Sequence, residues 1–290
     1  MRLYLVTPER RDHFHKPPNT TMLLQASSFF EMYAETPVAS IFMLRSKSGA
    51  AQFITQEAFF TTPYVPVSEH MDGYGNICQR LTIPAGIFLL ESRVTAECSP
   101  TIDVDMDAGY TSVEMLPDNV LQFILPSRYC ESDKVSELAQ RITIGLQPGY
   151  AQVEAIRQWV YTNFRREDDT PSSSTSAMDA LQTKTGVCRD YTHVAMTLCR
   201  NLHIPARMVV GYLYELNPMD LHAWFEAYVG DRWYTFDATM AMPVGGRIVI
   251  AYGRDAADVA FASHFGNVLL RNMEVNVKEI MYDWSARGAW

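Results

Sequence analysis

Three residues in the second half of the chain have types and spacing that could do nucleophilic chemistry: Cys188, His222 and Asp237. After Cys188 the apolar positions Tyr191, Val194, Ala195, Leu198, Cys199 and Leu202 recur at intervals of three and four, which predicts a helix buried along one stripe. Gly186 makes a tight entry, so Cys188 falls in or just before the first turn. Unpaired N–H groups and the positive end of the helix dipole favour an anion there, and such a setting lowers a thiol pKa. A thiolate nucleophile needs a base and a group to orient that base. Two predicted strands, LHAWFEAYV and RWYTFDA, are joined by Gly230-Asp231, a dipeptide suited to a two-residue hairpin turn. If Val229 pairs with Arg232, His222 falls opposite Thr239 and Trp224 opposite Asp237, all on one face of the ribbon. His222 and Asp237 are then diagonal neighbours with backbones roughly 7 to 8 Å apart, close enough for a carboxylate to hold an imidazole. A three-residue loop would shift the register by one and put them on opposite faces.

Each of the three has a plain structural explanation when taken alone. A buried free Cys is usually a small hydrophobe, a His opening a strand can bond backbone, and an Asp closing a strand is a common turn residue. It is the coincidence of a thiol at a helix entrance with a His and an Asp on one ribbon face that favours chemistry. His193 competes poorly, about 140° round the helix from Cys188, as does His203, roughly 20 Å away at the helix's far end. Cys199, on the buried stripe, and the remaining Cys78, Cys98 and Cys130 read as core thiols. The five cysteines are odd in number and lack any CxxC pair, so they read as reduced.

Length and composition set the frame for these residues. At 290 residues and roughly 150 per domain, two domains are expected, and an apolar share of 48% gives each a core. No run approaches the roughly 18 to 20 apolar residues that span a bilayer, and the first residues lack a long apolar signal run, so a cytoplasmic protein without a membrane partner is expected. With 33 acidic against 24 basic residues the net charge is -9, a sign that argues against nucleic acid as a ligand. Residues 1–21 read as a polar arm, in which His13 and His15 are better explained as solvated than as metal ligands. From 22 to 125, short β-branched and aromatic runs alternate with turn signals such as Asp72-Gly73 and Pro84-Ala85-Gly86, which predicts an antiparallel β-sandwich. After Pro126 the period changes to helical over 133–143 and 150–165, opening a second domain over 126–290. RREDDTPSSSTS, from Arg165 to Ser176, reads as an exposed loop. Asp103, Asp105, Asp107 and Glu114 match part of a calcium-loop spacing, but Ala108 stands where the loop needs Gly. Alternating acids on the wet face of a strand explain them better.

The run GVCRDYTHVAMTLCRNLHIPARMVVGYL, followed by HAWFEAYVGDRWYTFDAT, resembles the bacterial branch of the transglutaminase-like superfamily, whose members include proposed cysteine proteases with a papain-like core. The resemblance covers about residues 125–245, and the strand-rich region before it, with the turn DGYGN, is similar to the β domain that precedes this core in many relatives. The overall expectation is an α+β chain: an N-terminal antiparallel β-sandwich followed by a papain-like, transglutaminase-like cysteine-enzyme core. The resemblance implies Cys188 as nucleophile, His222 as general base and Asp237 as orienting acid, the same trio that the spacing selects. The family commonly ends its last motif Asp-Pro-Thr, whereas Asp237 is followed here by Ala238 and Thr239. No metal and no cofactor is expected.

The implied chemistry is acyl transfer on an amide of a protein or peptide substrate. A thioester forms at Cys188 and is resolved by water, as proteolysis, amide hydrolysis or deamidation, or by an amine, as transglutamination. The backbone N–H of Cys188 is the natural first oxyanion donor. Gln182, six residues before the nucleophile as in papain-like proteases, Tyr212 and Trp224 are candidates for the oxyanion hole or cleft wall. The rival expectation is a non-catalytic papain-like scaffold whose β domain binds a protein partner. That domain could also supply a homodimer surface.

Overall fold

The structure, a computed structural model, describes residues 21–49, 51–167 and 174–281. The arm expected over 1–21, with His13 and His15, therefore lies outside the described residues but for Thr21, as does the centre of the 165–176 loop. In chain order the first strands are β1 (Met22–Ala34), β2 (Val38–Arg45), β3 (Gln52–Thr62), β4 (Ser68–Met71), β5 (Ile77–Ile83) and β6 (Gly86–Cys98). Helices α1 (Asp118–Leu121), α2 (Ser136–Thr143) and α3 (Tyr150–Asn163) follow, then β7 (Arg165–Arg166), α4 (Ala177–Thr183), β8 (Thr185–Gly186) and α5 (Cys188–Asn201). The chain continues through β9 (Ala206–Leu213), β10 (His222–Val229), β11 (Arg232–Phe236), β12 (Arg247–Gly253), β13 (Ala262–His264) and β14 (Leu269–Glu279). Among the described residues no helix is long and apolar enough to cross a membrane.

Period-two burial builds the sandwich. Along β1, Leu24, Ala26, Ser28, Phe30, Met32 and Ala34 point inward, while from Gln25 onward the residues between them are at least partly exposed. One sheet has the order β14-β1-β6-β3 and the other β13-β2-β5-β4. Phe30, Met32, Phe42, Leu44, Leu81, Ile83, Phe88 and Leu90 fill the space between them, each fully buried large side chain stabilising the fold by roughly 1.5 to 3 kcal/mol. The boundary expected at 125 does not contain this unit, because β13 and β14, from the end of the chain, return to pair with β2 and β1. Two-sided edge pairing is worth more to β1 than an exposed edge, and a sequence pattern carries no signal for such a long-range return.

The second half packs helices on a third antiparallel sheet of order β11-β10-β9-β12. Helix α5 lies against β9 and β10 and is flanked by α2, α3 and α4. It is therefore buried on every side from Asp190 to Arg200, not along the single stripe that its apolar spacing predicts. The polar residues that make it look amphipathic are satisfied inside: Arg200 donates to Ala206 O at 2.7 Å and Ser127 Oγ at 2.9 Å. Residues 103–107 form no strand, against expectation. Asp103 pairs with Arg232 at 2.7 Å, and Asp105 accepts from the Tyr234 hydroxyl at 3.1 Å, so these acids brace the outside of β11.

One apolar cluster runs through both halves, joining Leu24, Ala26, Val94 and Ala96 of the sandwich to Tyr212 and Ile248 of the third sheet. Polar contacts fix the same junction. Strand β12 ends that sheet, and an edge strand carries unpaired backbone groups. Two side-chain amides from the sandwich pair with them in place of a neighbouring strand. Gln52 donates to Val249 O at 2.8 Å and accepts from Val249 N at 2.6 Å. Asn76, at the end of the DGYGN turn, donates to Tyr252 O and accepts from Tyr252 N, both at 2.8 Å. Gln52→Leu would strand the buried N–H and C=O of Val249, which costs about 2 to 4 kcal/mol. Urea unfolding is expected to show that loss, and a midpoint equal to the wild type's would refute the role given to this amide.

Candidate active site

Cys188 is the first residue of α5 and, unlike the four other cysteines, is not buried. The entrance is shaped by Asp190, whose Oδ2 accepts the Val187 N–H at 3.0 Å. A Cβ at Gly186 would lie 2.6 Å from that oxygen and 2.7 Å from the Asp190 Cβ, so only glycine lets the chain pass under the carboxylate into the helix. The remaining thiols are core: burial pushes Cys98 up to about 12 and Cys130 up to about 11, and raises Cys78 and Cys199 as well.

The hairpin that carries the other two residues forms in the expected register. Val229 pairs with Arg232 and Ala227 with Tyr234, and Gly230 and Asp231 turn at φ of 55° and 60°, the two positive values of a type I′ turn. The ladder stops at Phe225 and Phe236, so the expected pairs Trp224–Asp237 and His222–Thr239 are not formed. Freed from the ladder just past β11, Asp237 still reaches its diagonal neighbour: His222 Nε2 and Asp237 Oδ2 are 2.8 Å apart. Both side chains are almost fully buried. Cys188, at the head of α5, is the other group whose interaction raises the imidazole's pKa.

Charge and burial oppose one another at this pair. Burial alone would lower the His222 pKa, but the Asp237 carboxylate and the Cys188 sulfur outweigh it and raise the imidazole to about 9. Burial would likewise raise Asp237, yet His222, Arg247 and Thr239 hold its carboxyl well below the usual carboxylate range. Asp237 Oδ1 accepts from the Thr239 N–H at 2.9 Å and the Thr239 hydroxyl at 2.6 Å. The Thr of the last motif thus grips the acid, and Ala238 in place of Pro leaves that grip intact. Trp224 walls the imidazole, its ring stacked 6.1 Å from that of His222.

Two other candidates stand elsewhere. Tyr212 is fully buried and its hydroxyl donates to Ser28 Oγ at 3.0 Å. It ties the third sheet to the sandwich and is no oxyanion donor. Gln182 sits exposed on α4, on the solvated side. His193 is enclosed, accepting from Ala256 N at 3.2 Å and stacked on Tyr129, and burial holds its pKa well below normal. Among the described residues no cluster of three or more His, Cys, Asp or Glu could hold a metal ion. Arg247 was not selected by spacing; its signal was a charged residue opening the otherwise apolar strand RIVIAYG.

The sequence profile of the Transglutaminase-like superfamily matches residues 136–238, which span the thiol, the imidazole and the carboxylate. A solved structure of a "putative cysteine protease" from Cytophaga hutchinsonii is 35% identical, with a TM-score of 0.85 over 92% of this chain and 93% of that one. The chain belongs to the transglutaminase-like superfamily. Curated relatives of the chain include an uncharacterized protein of Mycobacterium leprae, 31% identical over 153 residues, or 49% of this chain and 53% of that one. An uncharacterized protein of Mycobacterium bovis is 26% identical over 167 residues, 52% of each chain. The matched stretch spans about half the length of these curated relatives.

In this transglutaminase-like protein His222 is protonated more readily when folded than when unfolded. It therefore contributes stability that is full below its ordinary pKa of 6.5 and is lost as pH rises through about 9. That loss is on the order of 3 kcal/mol. Urea unfolding from about pH 6 to 10 is expected to show it in the wild type and to give a flatter profile in His222→Gln. Parallel profiles would refute the assignment.

Proposed function

We propose that this chain carries out thiol-dependent acyl transfer on amide bonds of a peptide or protein, with Cys188 as nucleophile, His222 as general base and acid, and Asp237 as the group that orients it. The observation that carries the reading is the meeting of a solvent-reached thiol at a helix N-terminus with a buried imidazole that a buried carboxylate holds by its far nitrogen. Cys188 Sγ adds to the amide carbonyl carbon, and the oxyanion that forms is met by the Cys188 backbone N–H at the helix entrance. His222 Nδ1 delivers its proton to the leaving nitrogen, the C–N bond breaks, and a thioester remains. Water, deprotonated by His222 Nδ1, then cleaves the thioester and restores the thiol, giving proteolysis or side-chain deamidation. An amine in place of water would give a cross-link. Asp237 holds Nε2 throughout and so fixes which ring nitrogen faces the sulfur. A cytoplasmic site of action fits five free thiols.

Iodoacetamide at about pH 6 is expected to alkylate Cys188 before the four buried cysteines and faster than a model thiol. His222→Ala is expected to slow that reaction to the model rate. Equal rates for Cys188 in wild type and variant would favour a non-catalytic scaffold. Mass spectrometry of a peptide library incubated with and without a primary amine then separates the outcomes: cleavage, a gain of about one dalton on deamidation, or amine incorporation. A Cys188-dependent change of none of these kinds would overturn the amide assignment.

A further inference from the structure

Nothing in the packing of β12 calls for a charge at position 247. Arg247 is 7% exposed in a strand whose neighbours are apolar, and its guanidinium lies over the Trp224 ring, 4.8 Å from the centroid. Its Nε donates to Val244 O at 3.0 Å and its Nη2 to Asp237 Oδ2 at 2.9 Å. Nη1 is buried without a hydrogen-bond partner among the described residues. A buried cation with an unsatisfied donor is expensive, and apolar residues commonly replace buried ion pairs without loss of stability. The oxygen that Arg247 binds is also the one that His222 Nε2 binds, while Oδ1 is taken by Thr239.

We propose that Arg247 is a positioning residue of the acyl-transfer site: by sharing Asp237 Oδ2 with the His222 ring, it fixes the carboxylate and loosens the carboxylate's hold on the imidazole proton. This rests on the assignment of Cys188, His222 and Asp237 made above. A general acid works best when its proton affinity matches the working pH, and a buried carboxylate raises the affinity of the imidazole it holds for its proton. Drawing part of the Oδ2 electron density to a fixed cation corrects this without moving the ring. The groups facing His222 are few: Cys188 from α5, Asp237 from beyond β11, with Arg247 of β12 behind it, and the uncharged Gly211 directly opposite on β9. On its own segment Trp224 stacks on the ring, and Asp220 accepts from the Leu221 N–H at 2.7 Å.

Removing the cation leaves the surroundings of the ring more negative, which favours the imidazolium. Followed by NMR of the histidine ring in the full chain, His222 of Arg247→Met is expected to lose its proton about one pH unit or more above the wild type. Arg247→Lys, which keeps the charge, is expected to titrate nearer the wild type than Arg247→Met does. An unmoved or lowered midpoint in Arg247→Met would overturn the proposal, since a residue that only packs would leave the titration where it was. If Arg247→Met does not fold, the wild type decides. Its Arg247 guanidinium resonances are expected to shift with the His222 midpoint, and resonances flat across that range would sink the idea. Selective Cys188 alkylation with no such coupling would remove Arg247 alone, whereas unselective alkylation would remove the trio on which it depends.

Discussion

A single buried oxygen, Asp237 Oδ2, accepts from an imidazole and from a guanidinium that come from two different strands of the same sheet. A carboxylate cannot remain charged in an apolar interior unless such donors replace its water, and the donors cannot stay there unless the carboxylate is charged. This mutual dependence fixes where the end of β11, the start of β10 and the start of β12 must lie relative to one another. The packing of α5 on β9 and β10 brings Cys188, at the head of that helix, near enough to the imidazole to influence its charge.

The β-sandwich takes part in that arrangement and is not an appendage to it. It presents Gln52 and Asn76 to the outer edge of β12, where no strand pairs, and Ser28 receives the hydroxyl of Tyr212 from β9. Amide side chains give the edge the backbone partners that another strand would give, while closing it against further pairing. Because β12 begins with Arg247, the sandwich holds the strand from which the guanidinium reaches Asp237. The shared apolar cluster packs the two halves against each other, and β13 and β14 cross back to complete the sandwich.

Much of the site was legible because its signals are local. Gly186 before Cys188, and Gly230-Asp231 between two strands of alternating pattern, are short-range instructions, and the register of a two-residue turn follows from backbone geometry. The pairing of His222 with Asp237 could therefore be worked out on paper, although the ladder ends sooner than the pairing scheme implied. What was misread depends on distant partners. Tyr212 looked like a cleft residue because nothing in its strand announces Ser28, 184 residues earlier. Residues 103–107 looked like strand because their acids alternate, whereas their partners are Arg232 and Tyr234.

The amino-acid order alone determined the helix that begins at Cys188, the hairpin with its turn, and the strands of the sandwich, since each follows from periodicity and turn chemistry within a few residues. Tertiary structure decided the rest: the burial of α5 on every side, the return of β13 and β14, the amides that cap β12, and the meeting of Arg247 with Asp237. These contacts join residues far apart in the chain, and only the packing of sheet on sheet and helix on sheet selects which of many chemically suitable partners meet. Hydrogen-bonding capacity is written in the residue type, but its satisfaction is a property of the folded interior.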